Sequence, residues 1–374
     1  MATKPALRPV FLDDKYLATG ERVYLTGSQA LVRLPLEQAR RDAAAGLNTA
    51  GFISGYRGSP LGIYDTALWA AEPILREHRI HFEPGVNEDL AAAAVWGTQQ
   101  VPLLSEARYD GVFALWYGKG PGVDRSADVL KHGNYAGTSP LGGVLALCGD
   151  DHAARSSTTA HQSDQALIHC GMPVLNPADI QDYIDLGLIG FALSRFAGVW
   201  AGFKCVTEIV DGSASIRVGA GRTVVLPEDY EFPPGGLSIR REFAALAQEA
   251  RLYEERLIAA QAFARANAID RQVIGGGGRK RLGIVASGKS LGDAGEALAR
   301  LGIDEARAAE LGIALFKVGM VWPLEPQRIA AFAAGCDEVL LIEEKRPLIE
   351  EQLAHLLYNL PAERRPRLSG KRDP

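Results

Sequence analysis

Apolar and polar residues alternate in blocks along the first half of the chain. The apolar blocks are short and continuous, and longer stretches between them repeat apolar residues every three or four positions. We predict strands at 49–54, 111–117 and 142–148 and helices at 36–46, 65–77 and 88–104. Continuous apolar strands that alternate with helices are typical of a parallel sheet covered on both faces. The pattern therefore predicts an α/β fold with a doubly wound parallel sheet.

A shorter region repeats this alternation after a break. The break begins with a Pro- and Gly-rich segment at 224–236, continues as a charged helical stretch at 240–268 and ends in the glycine run Gly275–Gly278. We predict later strands at 282–287, 313–318 and 338–343 and helices at 291–301, 326–334 and 347–358. This second region predicts a smaller α/β domain, since Gly-rich runs usually separate folded units.

These features divide the chain into four parts. We predict a first domain at 1–235, a helical linker with an exposed helix at 236–280, a second domain at 281–362 and a linker at 363–374. The final segment RRPRLSGKRDP shows neither a helix stop nor a strand pattern. We therefore expect it to be a linker cut short, and the chain to be part of a longer polypeptide.

One apolar segment has almost the length of a membrane span. Residues 186–203 are nearly all apolar, but Arg195 lies in the middle of the run. A single charge there costs about 2.5–3.5 kcal/mol of insertion free energy. Asn176 and Pro177 upstream form a good helix start. We predict a buried helix at 177–195 followed by a strand at 198–209, and no membrane span.

Charge and cysteine content exclude several classes of protein. The 374 residues carry 40 Lys and Arg against 45 Asp and Glu, a net charge of -5, which leaves no basic surplus for binding nucleic acid. The four cysteines form no C-x-x-C pair, which argues against a disulfide scaffold, a cysteine zinc site or an iron–sulfur cluster held by this chain. The N-terminal residues lack the apolar region of a signal peptide, so we expect a cytoplasmic protein.

Residues Gly283 to Ser290 match the phosphate-binding pattern G-x-x-x-x-G-K-[ST]. Such a loop needs an apolar strand before its first glycine. Here Gly283 itself falls inside the strand predicted at 282–287, which leaves too few free N–H groups to surround a phosphate. A nucleotide-binding α/β protein that uses residues 283–290 stays an alternative.

Three polar or glycine-rich segments follow predicted strands, at 55–60, 118–126 and 149–164. Ligands of open α/β sheets bind at the carboxyl ends of strands. The segment after the second strand reads G-K-G-P-G rather than G-x-G-x-x-G, which does not favour a dinucleotide site. Spacings of nine and eight residues separate His152, His161 and His169 and do not match a helical or hairpin pair of metal ligands. We predict no metal site in this chain.

Five ordered motifs together resemble a known family. They are TGSQALVRLPLEQ (26–38), ISGYRGSPLGIYD (53–65), NEDLAAAAVWGTQ (87–99), WYGKGPGVDRSADVLKHGN (116–134) and GDDHAARSSTTAHQSD (149–164). The chain resembles the N-terminal part of the single-chain bacterial indolepyruvate ferredoxin oxidoreductases, which are thiamine-diphosphate-dependent 2-oxoacid:ferredoxin oxidoreductases. The resemblance implies a pyrimidine-binding domain followed by a transketolase-C-like domain.

The resemblance also implies roles for individual residues. Glu88 corresponds to the glutamate that hydrogen-bonds N1′ of the aminopyrimidine of thiamine diphosphate. The cofactor pocket is implied at Gly55, Tyr56, Gly58, Ser59, Lys119 and Gly120, and substrate contacts at Arg57 and Ser59. By composition alone, Glu88 is an acid favoured at a helix N-terminus. Its neighbour Asp89, one helix step away, is expected to tolerate Asn.

The family's remaining parts have no match here. No G-D-G…N segment for diphosphate and Mg²⁺ and no cysteine cluster for [4Fe–4S] is present in the sequence. The resemblance therefore implies a shared thiamine diphosphate site, completed by a homodimer or by a separate diphosphate-binding domain. It implies a 2-oxoacid substrate such as indolepyruvate, ferredoxin as electron acceptor and coenzyme A as acyl acceptor. We expect the isolated chain to be inactive, and a non-catalytic fragment is a further alternative.

Overall fold

The computed structural model describes residues 9–20, 22–219, 223–241 and 244–372. The strands are β1 (Arg22–Thr26), β2 (Thr49–Gly55), β3 (Ile80–Phe82), β4 (Gly111–Lys119), β5 (Val144–Asp150), β6 (Val174–Leu175), β7 (Trp200–Val206), β8 (Ser213–Arg217), β9 (Arg271–Ile274), β10 (Lys280–Ser287), β11 (Ile313–Val318), β12 (Met320–Trp322), β13 (Cys336–Ile342) and β14 (Arg367–Ser369).

Helices connect most of these strands. They are α1 (Asp14–Leu17), α2 (Gly27–Ala44), α3 (Tyr64–Ala70), α4 (Glu72–Glu77), α5 (Glu88–Thr98), α6 (Gly120–Arg125), α7 (Ala127–Ala136), α8 (Asp164–His169), α9 (Ile180–Ala197), α10 (Thr207–Val210), α11 (Ala245–Ala250), α12 (Leu257–Ala266), α13 (Lys289–Arg300), α14 (Glu305–Leu311), α15 (Pro326–Ala334) and α16 (Ile349–Leu357). A π-helical turn at Arg251–Arg256 joins α11 to α12.

The larger sheet has the strand order β12-β6-β7-β5-β4-β2-β3 and is parallel from β6 to β3. Alternate residues of its central strands enter two different hydrophobic clusters. In β4, Leu115 and Tyr117 join the cluster that includes α2, α3 and α9, whereas Ala114 and Trp116 join the cluster that includes α5. Helices therefore cover both faces, and the predicted doubly wound α/β fold is confirmed.

The smaller sheet has the order β14-β13-β10-β11-β9, in which only β9 is antiparallel among the described strands. Between β11 and β13 the chain contributes one strand to the larger sheet, because β12 pairs with β6. Side chains from both sheets also share one hydrophobic cluster, in which Trp116 and Val144 join Phe316 and Val339. The two sheets are thus connected by a strand pair and by a continuous core.

Several elements differ from the sequence pattern. Helix α2 begins nine residues before the predicted helix at 36–46, because Thr26 and Gln29 form a reciprocal capping box at Gly27. The predicted helix at 65–77 is divided into α3 and α4, and the predicted helix at 88–104 ends at Thr98. The central strands extend one or two residues beyond their predicted carboxyl ends.

The apolar segment at 186–203 forms most of α9 and the start of β7, as predicted. Arg195 donates from Nη1 and Nη2 to the two carboxylate oxygens of Asp42, both at 2.7 Å. Its Nε donates to the carbonyl of Gly142 at 2.8 Å. The charge is thus neutralised inside the fold. Across the described ranges, the structure contains no helix with the length and apolar character needed to cross a membrane.

The region at 236–280, predicted to be a linker with an exposed helix, packs into the core instead. Leu252 and Phe263 are fully buried, and Ala259 and Ala260 join the cluster that includes α9. The segment predicted to be a linker cut short also has structure, because β14 pairs in parallel with β13. Short segments like Arg367–Ser369 give little periodicity, so only pairing identifies them. The domain boundaries themselves stay a prediction.

Candidate active site

The three segments that follow predicted strands meet at one edge of the larger sheet. Strands β2, β4 and β5 are neighbours and end at Gly55, Lys119 and Asp150. The hydroxyls of Ser59 and Ser156 are hydrogen-bonded to each other, which joins the first segment to the third. The meeting of these segments follows from the parallel direction of the three neighbouring strands.

Glu88 is the first residue of α5, the helix between β3 and β4, and it lies at this same edge of the sheet. The side chain of Asn87 caps the helix by accepting a hydrogen bond from the N–H of Leu90 at 2.9 Å. The indole Nε1 of Trp116 donates to the carbonyl of Glu88 at 3.0 Å. The helix start is thereby fixed to β4, and only 7% of Glu88 is exposed.

The Glu88 carboxylate packs against a glycine of β4 and a glycine of α6. A Cβ built on Gly122 would lie 2.6 Å from Oε1 of Glu88, and one built on Gly118 would lie 3.5 Å from its Cγ. Among the residues the structure describes, none donates a hydrogen bond to this carboxylate. Glu88 therefore presents an acceptor that fits a donor on a bound ligand.

The first predicted segment forms a turn beside β4. The N–H of Tyr56 donates to the carbonyl of Tyr117 at 3.0 Å, and a Cβ on Gly55 would lie 2.1 Å from that same carbonyl oxygen. Only glycine fits at this close approach. The side chains of Tyr56 and Arg57 are exposed at the rim. Burial raises the pKa of the nearby Asp65 carboxyl, and the Arg57 charge partly opposes that shift.

The second predicted segment contacts both of its neighbours. The aliphatic part of Lys119 packs on Gly58, where a Cβ would lie 2.6 Å from Cδ of the lysine. A Cβ on Gly120 would lie 2.1 Å from the ring of His161. Both predicted glycines thus lie in close contact with neighbouring side chains. Lys119 also directly precedes α6.

Sequence reasoning missed the charged network behind these loops. Asp150 is fully buried and accepts from the hydroxyl of Ser163 at 2.6 Å and from its N–H at 3.0 Å. His161 lies between Asp150, 3.4 Å from Nδ1, and Asp124, 2.8 Å from Nε2. Lys204 lies 3.5 Å from Asp150. Burial alone would raise the pKa of Asp150, but Lys204 and these hydrogen bonds hold it well below its usual range.

The three aspartates and two histidines of the motif GDDHAARSSTTAHQSD were the available signal for this network. The sequence could not show that Lys204, on β7, completes it. Lys204 Nζ donates to Asp164 at 2.7 Å, and the two aspartates raise its pKa against the effect of burial.

Asp89 has a role that the helix-step argument missed. Its carboxylate accepts from Nε of Arg125 at 3.0 Å and from the hydroxyl of Ser126 at 3.1 Å. These contacts dock the carboxyl end of α6 onto α5. Asn at this position would keep an acceptor for Ser126 but lose the ion pair with Arg125, so the expected tolerance is reduced.

The match at 283–290 does not form a phosphate-binding loop in the structure. Gly283 lies inside β10, paired with Ala314 and Val339, and its N–H group belongs to the sheet. Lys289 pairs with Asp293 on its own helix. The conformation at 283–287 is extended strand throughout. No observation favours nucleotide binding at this segment.

The residues of this edge fit one half of the cofactor that the resemblance implies. The Glu88 carboxylate offers an acceptor to the protonated ring nitrogen of an aminopyrimidine, and Gly118 and Gly122 beside it have no side chains that would cover it. Within residues 9–20, 22–219, 223–241 and 244–372, no group of three or more His, Cys, Asp or Glu side chains is arranged to hold a metal ion. Glu88 thus offers an acceptor suited to the pyrimidine, whereas the described residues form no such cluster for Mg²⁺.

Comparison with characterised proteins gives a consistent result. The chain is 23% identical over 337 residues to indolepyruvate oxidoreductase subunit IorA of Methanothermobacter thermautotrophicus, and 25% identical over 347 residues to that of Pyrococcus horikoshii. Both alignments cover 89% of this chain. A family model described as the indolepyruvate ferredoxin oxidoreductase middle domain matches residues 270–374. The predicted resemblance to indolepyruvate ferredoxin oxidoreductases is confirmed.

The relatives are longer than this chain and are named as oxidoreductases. The chain spans about half the length of the curated relatives it matches, 48% and 47% respectively. A solved structure of 2-oxoglutarate:ferredoxin oxidoreductase from Magnetococcus marinus, with 2-oxoglutarate, coenzyme A and succinyl-CoA bound, superposes with a TM-score of 0.63. That match covers 94% of this chain and 62% of the solved chain at 16% identity, so it shows a shared fold.

Proposed function

We propose that this chain is the pyrimidine-binding part of a thiamine-diphosphate-dependent oxidoreductase. The whole enzyme would oxidatively decarboxylate an aryl 2-oxoacid such as indolepyruvate and pass electrons to ferredoxin. The observation that carries the proposal is Glu88, a largely buried residue at a helix N-terminus whose carboxylate accepts no hydrogen bond from the residues that the structure describes. The similarity to indolepyruvate oxidoreductase subunits over 89% of the chain supports the substrate class.

The site explains how Glu88 would act. The carboxylate lies at the positive end of α5, and its largely buried surroundings strengthen its interaction with any donor placed beside it. Gly118 and Gly122 leave the carboxylate uncovered by side chains of their own. Glu88 would accept a hydrogen bond from N1′ of the aminopyrimidine. It would thereby favour the form of the ring in which N1′ carries the proton. The hydrogen bond from Trp116 to the carbonyl of Glu88 fixes the helix backbone in this position.

The neighbouring residues would shape the substrate side of the pocket. Arg57 is exposed at the rim and offers a cation for the carboxylate of a 2-oxoacid. Ser59, held by Ser156, presents a hydroxyl at the same edge. Gly55, Gly58 and Gly120 pack closely against neighbouring groups, which holds these segments together at the same edge.

Other parts of the enzyme would complete the reaction. Thiamine diphosphate supplies the carbanion chemistry when bound. We propose that its diphosphate and Mg²⁺, and the [4Fe–4S] clusters, are held by another domain or by a partner subunit, including the second half of a homodimer. Ferredoxin would accept the electrons, and coenzyme A the acyl group. The structural neighbour with coenzyme A bound shares the fold, which supports examining this acceptor first.

The test uses the enzyme that contains this chain together with its diphosphate-binding part. We expect Glu88→Gln to reduce the rate of C2–H/D exchange of bound thiamine diphosphate by about 10²–10⁴-fold, the usual contribution of a positioned acid or base. The melting temperature should change little, since an amide at a helix N-terminus costs only about 0.3–1 kcal/mol.

Glu305→Gln is the matched control. Glu305 is also the first residue of a helix whose N-cap side chain is bonded, but it lies on α14 and is exposed. This variant should keep wild-type exchange. Wild-type exchange in a folded Glu88→Gln enzyme would remove Glu88 from the mechanism.

A further inference from the structure

Helix α6 forms the wall against which the Glu88 carboxylate packs, and two attachments near its carboxyl end hold it. Arg125 and the following Ser126 bind Asp89 on α5. The preceding residue, Asp124, binds His161, which belongs to the loop after β5. Gly122, the residue against Glu88, lies two residues before Asp124. The position of the wall therefore depends on a residue 37 positions away in the sequence.

His161 is built into this position. A Cβ on Gly120 would lie 2.1 Å from both Cγ and Nδ1 of the ring, so α6 can sit against the imidazole only because residue 120 is glycine. The carbonyl of His161 is 2.8 Å from Nδ1 of His152. The imidazole side chain is only 12% exposed.

The two carboxylates that flank His161 are not equivalent. Asp150 is fully buried and keeps Ser163 and Lys204 as partners whatever the state of His161. The Asp124 side chain is 60% exposed, and His161 is the partner the structure gives it. Water can replace His161 at Asp124 but not at Asp150. When the His161 ring loses one of its two N–H groups, the contact with Asp124 is therefore the one that opens.

Other charges lie one layer further out. Asp164 binds Lys204 at 2.7 Å. Glu344, which precedes α16, lies 3.2 Å from Nε2 of His152. Lys345 donates to the carbonyl of His152 at 2.7 Å. These groups pair among themselves, so the direct electrostatic partners of the His161 ring are Asp124 and Asp150.

We propose that His161 is a positioning residue for Glu88: its doubly protonated ring holds α6 against the carboxylate through Asp124 and releases α6 when it loses a proton. The link to Glu88 catalysis rests on the proposed function, whereas the movement of α6 does not. Protonated imidazole donates from both nitrogens, whereas neutral imidazole donates from one.

The direction of the pH dependence follows from the surroundings. The hydrogen bond to Asp150 raises the pKa of His161, burial opposes this, and Asp124 raises it further, with a net shift above the ordinary value of 6.5. The attachment is therefore complete below about pH 6.5 and is lost as the pH rises through the folded-state value.

The experiment is hydrogen exchange of the 374-residue chain between pH 5 and 9, read as protection factors at residues 123–126. The N–H of Ser126 bonds the carbonyl of Gly122 at 3.0 Å and reports directly on α6. We expect protection to fall on the order of tenfold to a hundredfold across the step, the usual effect of one hydrogen bond to a charged group. The midpoint should coincide with the NMR titration of His161.

Three variants make the test specific. His161→Gln and Asp124→Asn should each abolish the pH step, and two independent changes guard against misfolding of either one. His132→Gln should keep it, because His132 forms an exposed pair with Asp128 on α7, 3.6 Å apart. A pH-independent protection in the wild type, or a step retained in His161→Gln, overturns the proposal. No cofactor enters this measurement, so failure of the Glu88 exchange test would remove the proposed function and leave this result standing.

Discussion

At the scale of single residues, close contacts explain which glycines the site requires. Gly55 approaches a backbone carbonyl, Gly120 approaches an imidazole, and Gly122 approaches the carboxylate of Glu88. The three neighbours differ in how easily they yield. Backbone cannot move without disturbing the sheet, whereas the end of a glutamate side chain can rotate. Substitutions at these positions should therefore separate stability from function.

Gly122→Ala is expected to displace Glu88 without unfolding the chain. The new methyl group would lie 2.6 Å from Oε1, so the carboxylate has to move. A misplacement of about 1 Å can cost on the order of 10²-fold in rate, and we expect a loss of this size in C2–H/D exchange of bound thiamine diphosphate. Gly97→Ala is the control, because a Cβ there meets no atom within 4 Å. It should raise stability by about 0.5–1 kcal/mol and leave exchange unchanged.

At the scale of elements, buried charges anchor helices that are otherwise apolar. Helix α9 is buried along most of its length, yet it carries Arg195. The guanidinium binds both oxygens of Asp42 on α2 and the carbonyls of Leu141 and Gly142. Two helices and the start of β5 are thereby fixed to one another. The same charge that argued against a membrane span is a structural cross-link.

Arg195→Met should destabilise the protein strongly. Removing one partner of a buried ion pair leaves the other charge without compensation and typically costs about 3–5 kcal/mol. Urea unfolding followed by circular dichroism would measure the loss. Arg300→Met provides the comparison, because the Arg300–Glu296 pair on α13 has side chains that are 79% and 62% exposed. That change should cost less than about 0.5 kcal/mol. Equal effects of the two changes would contradict the anchoring role.

At the scale of the whole molecule, the crossing from the smaller to the larger sheet is a junction of buried polar groups. Asp270 is fully buried just before β9 and accepts from the N–H groups of Gly319 and Met320, at 2.7 and 3.0 Å, where the chain leaves β11 for β12. Nearby, Lys317 on β11 pairs with Asp182 on α9. The two sheets are therefore tied by polar contacts as well as by apolar packing.

The junction predicts a pH dependence of stability. Burial raises the pKa of Asp270 to about 7, against its hydrogen bonds from Gly319 and Met320 and with added repulsion from Glu325. Because the folded state holds this proton more tightly than the unfolded state, stability falls between about pH 4 and pH 7 and then levels off. Asp270→Asn keeps an acceptor and should flatten this part of the profile. Unfolding midpoints at pH 5 and pH 8 check it: an unchanged difference in the variant would assign the dependence to other groups.

Limited proteolysis tests the proposed organisation. We expect trypsin to cut first after Arg240, Arg241 or Arg279, which are exposed, and to spare Arg251 and Arg256, which are 5% and 0% exposed. The nicked pieces should stay together on gel filtration, because β12 pairs with β6 across the cuts. Early cleavage at Arg256 would show that α12 is not held against α9 in solution.

The sequence by itself determined the features that depend on local pattern. The continuous apolar strands at 111–117 and 313–318 predicted a covered parallel sheet, since period and composition act within a few residues. The same alternation placed the segments at 55–60, 118–126 and 149–164 after strands, where ligands of open α/β sheets bind. Glu88 was found through a family motif, because an acid at a helix N-terminus is common.

Only the tertiary structure decided which distant groups meet. His161 and Asp124 are 37 residues apart, Arg195 and Asp42 are 153 apart, and Lys317 and Asp182 are 135 apart. A charge in a sequence carries no information about which opposite charge will face it. The short strands β6, β12 and β14 likewise became visible only through their partners, because two or three residues show no periodicity and are stabilised by the sheet they join.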